Sequence, residues 1–394
     1  MNVLFVTKGY PSAENPMKGN YEAVQAHAIA AMGHQVSVIS FRWKSLLHIF
    51  DKRPLVHRTS ENVDVFEMVG ILSRLPLIPK CIKNYRLDRW MMQMAAKQFA
   101  KKYLKNQSAP DIIHIHSQFV AKYAIVLGKE FNVPIVLTEH WSGLNTGKVS
   151  NNILSERKIY LSSDAVIVVS HALQNALKKY YGIGSLVIYN MVENRFFKDK
   201  RKIKNDSSFT FVSVGRLVPI KCFDILVKAF SLMEHNSRVE LRLIGEGPER
   251  IKIEKLVAVL HLEDKVKLLG FKTPEEVSKI LCDSDCLVLS SHRETFGIVL
   301  IEAMAKGLPV VSTRCGGPED IINESNGLLV QPDDSEDLAK AMDYMVEHAH
   351  EYDGARIRQF CYDNFSQEKI SKQIIRVYES VQNKRDNSSI NVYQ

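Results

Sequence analysis

The sequence predicts an α/β protein built from two doubly wound parallel sheets. Short apolar, β-branched runs alternate with helical segments throughout, the runs fall into two series, and 394 residues are enough to bury two separate cores. The first series comprises strands at Val3–Thr7, Gln35–Ser40, Asp111–His116, Pro134–Glu139, Ala165–Ser170 and Val187–Tyr189. A second starts at Phe209–Gly215 and runs through Val239–Gly245, Val266–Gly270, Cys286–Ser290, Pro309–Ser312 and Gly327–Val330. The polar, basic segment Lys198–Ser208 separates them. Domains over residues 1–195 and 196–366 follow, then a helix over 367–384 and a polar, Asn/Ser-rich tail, 385–394, expected to be disordered.

Composition narrows the class. Hydrophobic content of 45% with 24% charged residues fits a globular chain. The six cysteines (Cys81, Cys222, Cys282, Cys286, Cys315, Cys361) are scattered, several in apolar surroundings, which suits reduced thiols in a cytoplasmic protein. No apolar run has the length of a spanning helix, and MNVLFVTKGYP reads as a first strand, not a cleavable leader. The net charge of +8 is uneven: residues 41–105 hold fourteen Lys plus Arg against five Asp plus Glu. No nucleic-acid motif accompanies this block, so nucleic acid is not the expected partner. Phe41, Trp43, Leu46, Leu47, Ile49 and Phe50 interleave with Arg42, Lys44, Lys52 and Arg53. Further on, Lys97, Lys101 and Lys105 share one helical face, and Met91, Ala95, Phe99 and Tyr103 another. Two readings stay open: an interface with an anionic membrane, or a solvated helix packed on its own domain.

The chemistry concentrates in HRETFGIVLIEAMAKGLPVVSTRCGG, residues 292–317. A buried strand runs into a loop holding Glu294, Gly297 permits close backbone approach, and a helix begins near Ile298. Its first N–H groups have no intrahelical partner and suit a phosphate. Glu302, one turn in, is expected to face the same crevice and accept hydrogen bonds from sugar hydroxyls. Two carboxylates flanking an anion-binding turn fit a ligand that is part diphosphate and part polyol.

Embedded in E-x-F-G-x4-E-A-M-A-x-G-x-P-V, the pair resembles the E-x7-E signature of the retaining glycosyltransferases of family 4, and the resemblance extends over almost the whole chain. It implies the GT-B fold: two Rossmann-like domains facing across a cleft, with the last helix crossing back to the N-terminal domain. It also implies that Glu302 holds the ribose hydroxyls and Glu294 those of the transferred sugar, with backbone groups of Phe296, Gly297 and Ile298 toward the phosphates. In open parallel sheets, ligands sit beyond the carboxyl ends of the strands. There, Arg216 and Lys221 in GRLVPIKCFD put two cations beside the leaving diphosphate, so no metal is needed to neutralise it. Cys222 stands where the family usually has glycine. Gly245 ends the second strand of this domain in a tight turn under the nucleoside, and Phe271, after the third, is either a stacking surface for the base or a core residue. Asp283-Ser284-Asp285 has the form of a metal motif but lies at the amino end of a strand, where a structural role is expected.

On the acceptor side, His114 and His116 share a strand face, and His116 sits at its carboxyl end. The match to the family's H-x-H implies that His116 contacts the transferred sugar. His140 ends the next strand, and Glu139 before it either orients an acceptor hydroxyl or fixes the loop. Gly19-Asn20-Tyr21 is similar to the family's glycine-rich donor loop, although the double glycine common there is absent. The function so implied is transfer of a sugar, with retention, from a nucleotide-diphosphate sugar to a saccharide or lipid-linked saccharide at the inner face of the plasma membrane, as in bacterial cell-surface polysaccharide assembly. A nucleotide-sugar epimerase and a non-catalytic sugar-binding protein are the alternatives. A nicotinamide oxidoreductase is disfavoured, because no strand is followed by G-x-G-x-x-G.

Overall fold

A computed structural model describes the chain except residues 13–17, 45–54, 61, 72–92, 95, 104–107, 145–152, 200, 202–207, 236–237 and 391–394. The chain divides into two compact units. One comprises Met1–Val169, Gln174–Ile188 and Ser371–Gln394, the other Ser170–Leu173 and Tyr189–Ile370.

The first unit holds strands β1 (Asn2–Thr7), β2 (Gln35–Lys44), β3 (Leu55–Ser60), β4 (Val63–Ile71), β5 (Ile112–His116), β6 (Ile135–Glu139), β7 (Ala165–Val168) and β8 (Leu186–Val187). Their order is β3-β4-β2-β1-β5-β6-β7-β8, and every pairing is parallel except β3 with β4. Both faces are covered, so β1, β5 and β6 are buried along their whole length, as parallel strands flanked by helices must be. The order reverses between β1 and β5, where Phe5 lies beside His114.

The second unit holds β9 (Phe209–Val214), β10 (Val239–Ile244), β11 (Val266–Gly270), β12 (Cys286–Leu289), β13 (Val310–Thr313) and β14 (Gly327–Val330). All are parallel in the order β11-β10-β9-β12-β13-β14, the 3-2-1-4-5-6 arrangement of the Rossmann fold. Phe211, Leu226, Phe230, Leu241, Val288 and Met342 are central to its core. The order reverses between β9 and β12, so a crevice is expected beyond their carboxyl ends.

Hairpin β3–β4 was not among the expected strands. Its residues lie in the basic block, yet Val63 and Val65 are buried and Asn62 turns the hairpin with φ 66°. Residues 96–103 are helical, and here the domain-packing reading prevails. Phe99 and Tyr103 are buried, their rings lie 5.4 and 5.9 Å from Phe66, and Tyr103 donates to Ser37 Oγ at 3.1 Å. Leu46, Leu47, Ile49, Phe50, Lys52, Arg53, Met91, Ala95 and Lys105 fall outside the described residues, as does Cys81. The five other cysteines are buried free thiols.

The helix Gln367–Ile390 begins in the second unit and continues in the first. Ile370, Ile374, Val377, Tyr378 and Val381 form its buried stripe at three- and four-residue spacing. It runs past Lys384 into the segment expected to be disordered, because extending a formed helix costs far less than nucleating one.

Candidate active site

In the second unit, three strand ends meet main chain to main chain. Gly215 N–H donates to Ile244 O, and Gly245 N–H to Gly270 O, both at 2.9 Å. A Cβ on Gly245, whose φ is +143°, would lie 1.8 Å from Gly215 O, so only glycine fits. Arg216 follows β9 after Gly215. Its side chain is exposed and makes no hydrogen bond or ion pair with the described residues. Phe271, after β11, is 49% exposed, which removes the core reading.

The loop after β12 is anchored to the turn after β9. Ser290 Oγ donates to Lys221 O at 3.0 Å and His292 N–H to Ile220 O at 2.9 Å. Lys221 Nζ forms an ion pair with Glu294 Oε1, which also accepts from Ser291 Oγ at 3.0 Å. Glu294 is fixed through its backbone too, donating to Cys315 O at 2.9 Å and accepting from Gly317 N–H at 3.2 Å. Cys222, next to Lys221, has φ 50° and ψ 42°. A left-handed conformation at this position explains why glycine suits it elsewhere in the family.

Gly297 caps the short helix Ile298–Met304 with φ 100°. Phe296 is a core residue, stacked on Tyr189 at 5.6 Å and edge-on to Phe365 at 5.8 Å, so only its backbone is available to a ligand. Glu302 is part-buried. Burial and then the neighbouring Glu193 carboxylate push it up to about 8, against the opposing pull of Arg195. Arg195 is itself shared between Glu193 and Glu275. Asp285 accepts from Thr210 N–H at 2.8 Å and pairs with Arg201 at 2.7 Å, so it ties strand starts together.

In the first unit, the ends of β5 and β6 carry a histidine cluster. His116 Nδ1 lies 3.2 Å from His140 Nε2, and its ring stacks on Phe5 at 5.2 Å. His114 is closed off by Tyr378 OH at 2.6 Å and Thr138 Oγ1 at 2.7 Å. Burial keeps all three neutral: His114 falls to about 3, His140 to about 4, and His116 well below the usual imidazole range. Glu139 is buried and spends its oxygens on the N–H groups of Gln118, His140 and Trp141 and on Tyr160 OH, at 2.9–3.0 Å. Of its two expected roles, fixing the loop is the one its partners fill. Gly19 and Asn20 open the helix Asn20–Ala31.

Two family models match the chain: "Glycosyltransferase Family 4" over residues 23–195 and "Glycosyl transferases group 1" over 194–359. N-acetyl-alpha-D-glucosaminyl L-malate synthase of Bacillus anthracis is 31% identical, over 69% of this chain and 75% of that protein. The chain belongs to the family 4 glycosyltransferases. A Bacillus subtilis relative named for teichuronic acid biosynthesis is 25% identical, over 87% of this chain and 88% of its own length. Among solved structures, sucrose-phosphate synthase of Thermosynechococcus elongatus superposes with TM-score 0.75 at 22% identity, covering 97% of this chain and 99% of that one. Anabaena HepE in complex with UDP gives 0.73 at 19% identity, covering 96% and 100%. At such identities these two likenesses establish the fold.

For this glycosyltransferase, sequence reasoning missed Ser291 and Glu193. Ser291 holds Glu294, and Glu193 adds to the burial that raises Glu302. Ser291 lies three residues before its glutamate, in the same loop, but nothing in the motif marks it as a partner, and Glu193 is brought to Glu302 from more than a hundred residues away by the chain's return.

Proposed function

We propose that this family 4 enzyme transfers a sugar from a nucleoside diphosphate sugar to an acceptor hydroxyl with retention of anomeric configuration. The observation that carries this reading is the Lys221–Glu294 ion pair where the strand order of the second unit reverses, with the unpaired Arg216 at the end of β9. Without ligand, Glu294 neutralises Lys221. An incoming diphosphate brings two negative charges and displaces the carboxylate, leaving Lys221 and Arg216 on the phosphates and Glu294 free to accept from sugar hydroxyls. Phe271 offers its exposed ring to the base, Gly245 lets the nucleoside approach the backbone, and Gly19 and Asn20 belong to the same donor reading. Backbone groups of Phe296, Gly297 and Ile298 face the phosphates, and Glu302 takes the ribose.

In the reaction, the bond from the anomeric carbon to the β-phosphate oxygen breaks as a bond to the acceptor oxygen forms on the same face. The departing phosphate oxygen takes the acceptor's proton. Arg216 and Lys221 stabilise the charge developing there. His116 and His140, held neutral, supply hydrogen bonds without placing a positive charge near the anomeric centre. The teichuronic acid relative and the cationic 41–105 block support a saccharide on a lipid carrier as acceptor, met by a peripheral enzyme at the cytoplasmic face.

Lys221→Ala should lower turnover by about two to three orders of magnitude while leaving the fold intact. The check is incubation with a panel of nucleotide sugars and lipid-linked saccharides, with the new linkage read by NMR. An inverted anomeric centre would reject retention. A new nucleotide sugar formed without acceptor would indicate an epimerase instead.

A further inference from the structure

We propose that Gln118 is a specificity-determining residue that reads the hydroxyl groups of a saccharide at the carboxyl end of β5. This deepens the function proposed above and rests on it.

Gln118 is 2% exposed, and neither Nε2 nor Oε1 of its amide has a hydrogen-bond partner among the described residues. A buried amide normally satisfies both ends, because water is lost on folding and something must replace it. Two positions earlier, His116 is 1% exposed and its Nε2 is likewise unpartnered, its other nitrogen being taken by His140. Between them Ser117 holds φ 77° and ψ 139°, a region that side chains rarely enter. That conformation is enforced from outside: Ser117 N–H donates to Thr138 O at 2.7 Å and Gln118 N–H to Glu139 Oε2 at 3.0 Å. Backbone strain and two orphaned polar side chains thus occupy three consecutive residues, at the point where the strand order of the first unit reverses. Costs concentrated in this way mark a place shaped for a ligand and not for the fold.

The chemistry selects the ligand class. An amide offers donors and acceptors together, and a neutral imidazole nitrogen offers one more of either kind. The three histidines are neutral, and the Lys8 ammonium lies over the Phe119 ring at 5.4 Å. The position therefore supplies hydrogen bonds of both senses with no dedicated counter-charge, which fits neighbouring hydroxyls better than a phosphate or carboxylate. Those hydroxyls belong either to the transferred sugar or to the acceptor.

The test compares Gln118→Leu, of similar volume but without the amide, with the full-length wild type. Calorimetric binding of UDP, UDP-glucose and UDP-N-acetylglucosamine is followed by kcat and KM for donor and acceptor. The expected result is kcat/KM lower by about tenfold or more, unchanged affinity for UDP, and an unfolding temperature equal to or above wild type, since a buried orphan has been removed. Loss confined to the nucleotide sugars assigns the transferred sugar, and a raised acceptor KM alone assigns the acceptor. Gln118→Met serves the same purpose if the leucine variant does not fold. Kinetics within twofold of wild type, with only stability altered, would mean that an ordered water satisfies the amide, and the proposal falls. A wild-type chain that binds neither UDP nor any nucleotide sugar overturns the function proposed above and this inference with it.

Discussion

Glu302 lies eight positions after Glu294, and the fold gives the two opposite surroundings. Glu294 faces a lysine and a serine hydroxyl, whereas Glu302 is part-buried beside a second carboxylate. The consequence for Glu302 is a pH-dependent stability. Its carboxyl lies near 4.5 when unfolded and is raised to about 8 in the fold, so the native state binds more protons between these values. Stability from this group is present below about pH 4.5 and is lost as pH rises through 8. Glu302→Gln removes that loss and should stabilise the fold at pH 8–9 by about 1 kcal/mol or more, read as a higher unfolding temperature, with little change at pH 5. Thermal unfolding of both proteins across pH 5–9 decides it; parallel curves would show that Glu302 titrates normally. The same variant should weaken nucleotide binding if the carboxylate holds the ribose.

Strand ends, more than strands, set the site. β9 and β10 are each followed at once by glycine and β11 ends in one, and these main chains touch where side chains would otherwise stand. Gly245→Ala would put a methyl 1.8 Å from Gly215 O in a backbone conformation alanine avoids. It should destabilise by about 2–4 kcal/mol, visible as a lower denaturation midpoint, and should weaken nucleotide binding more than any effect on the first unit. A variant as stable as wild type would mean that β9 and β10 can separate at their ends. The other informative element is the helix Gln367–Ile390. Its Tyr378 hydroxyl reaches His114, so the last helix of the chain helps to fix the histidine strand of the first unit.

Across the whole molecule, charge is the property with a functional consequence. The +9 held by residues 41–105 exceeds the net +8 of the entire chain, so the remainder is close to neutral. Part of that charge is internal to the fold: Lys97 pairs with Glu130 at 3.0 Å and Arg58 with Glu67 at 3.6 Å. Lys101 and Lys102 remain exposed. If this face meets anionic lipid, the protein should partition onto phosphatidylserine vesicles at low ionic strength. It should release as salt shortens the screening length from about 30 Å to about 10 Å. Sedimentation with such vesicles measures it, and no binding even at low salt would remove the membrane from the proposed function.

The sequence by itself determined the two α/β units, twelve of the fourteen strands among the described residues to within a few residues, and the family. Each of these is written locally, in runs of apolar residues and in a motif whose glycines and glutamates lie within one loop and helix. It could not supply hairpin β3–β4, whose alternating residues read as part of a basic stretch until Val63 and Val65 find β2 beside them. Nor could it say that Phe296 is core while Phe271 is exposed, or that Glu139 is spent on backbone N–H groups. Tertiary structure alone joined Lys221 to Glu294 and Glu193 to Glu302, and left the Gln118 amide buried without a partner. The physical reason is common to all three: whether a polar group is paired, charged or orphaned depends on neighbours that parallel strand crossovers bring from many residues away, and no local pattern encodes their arrival.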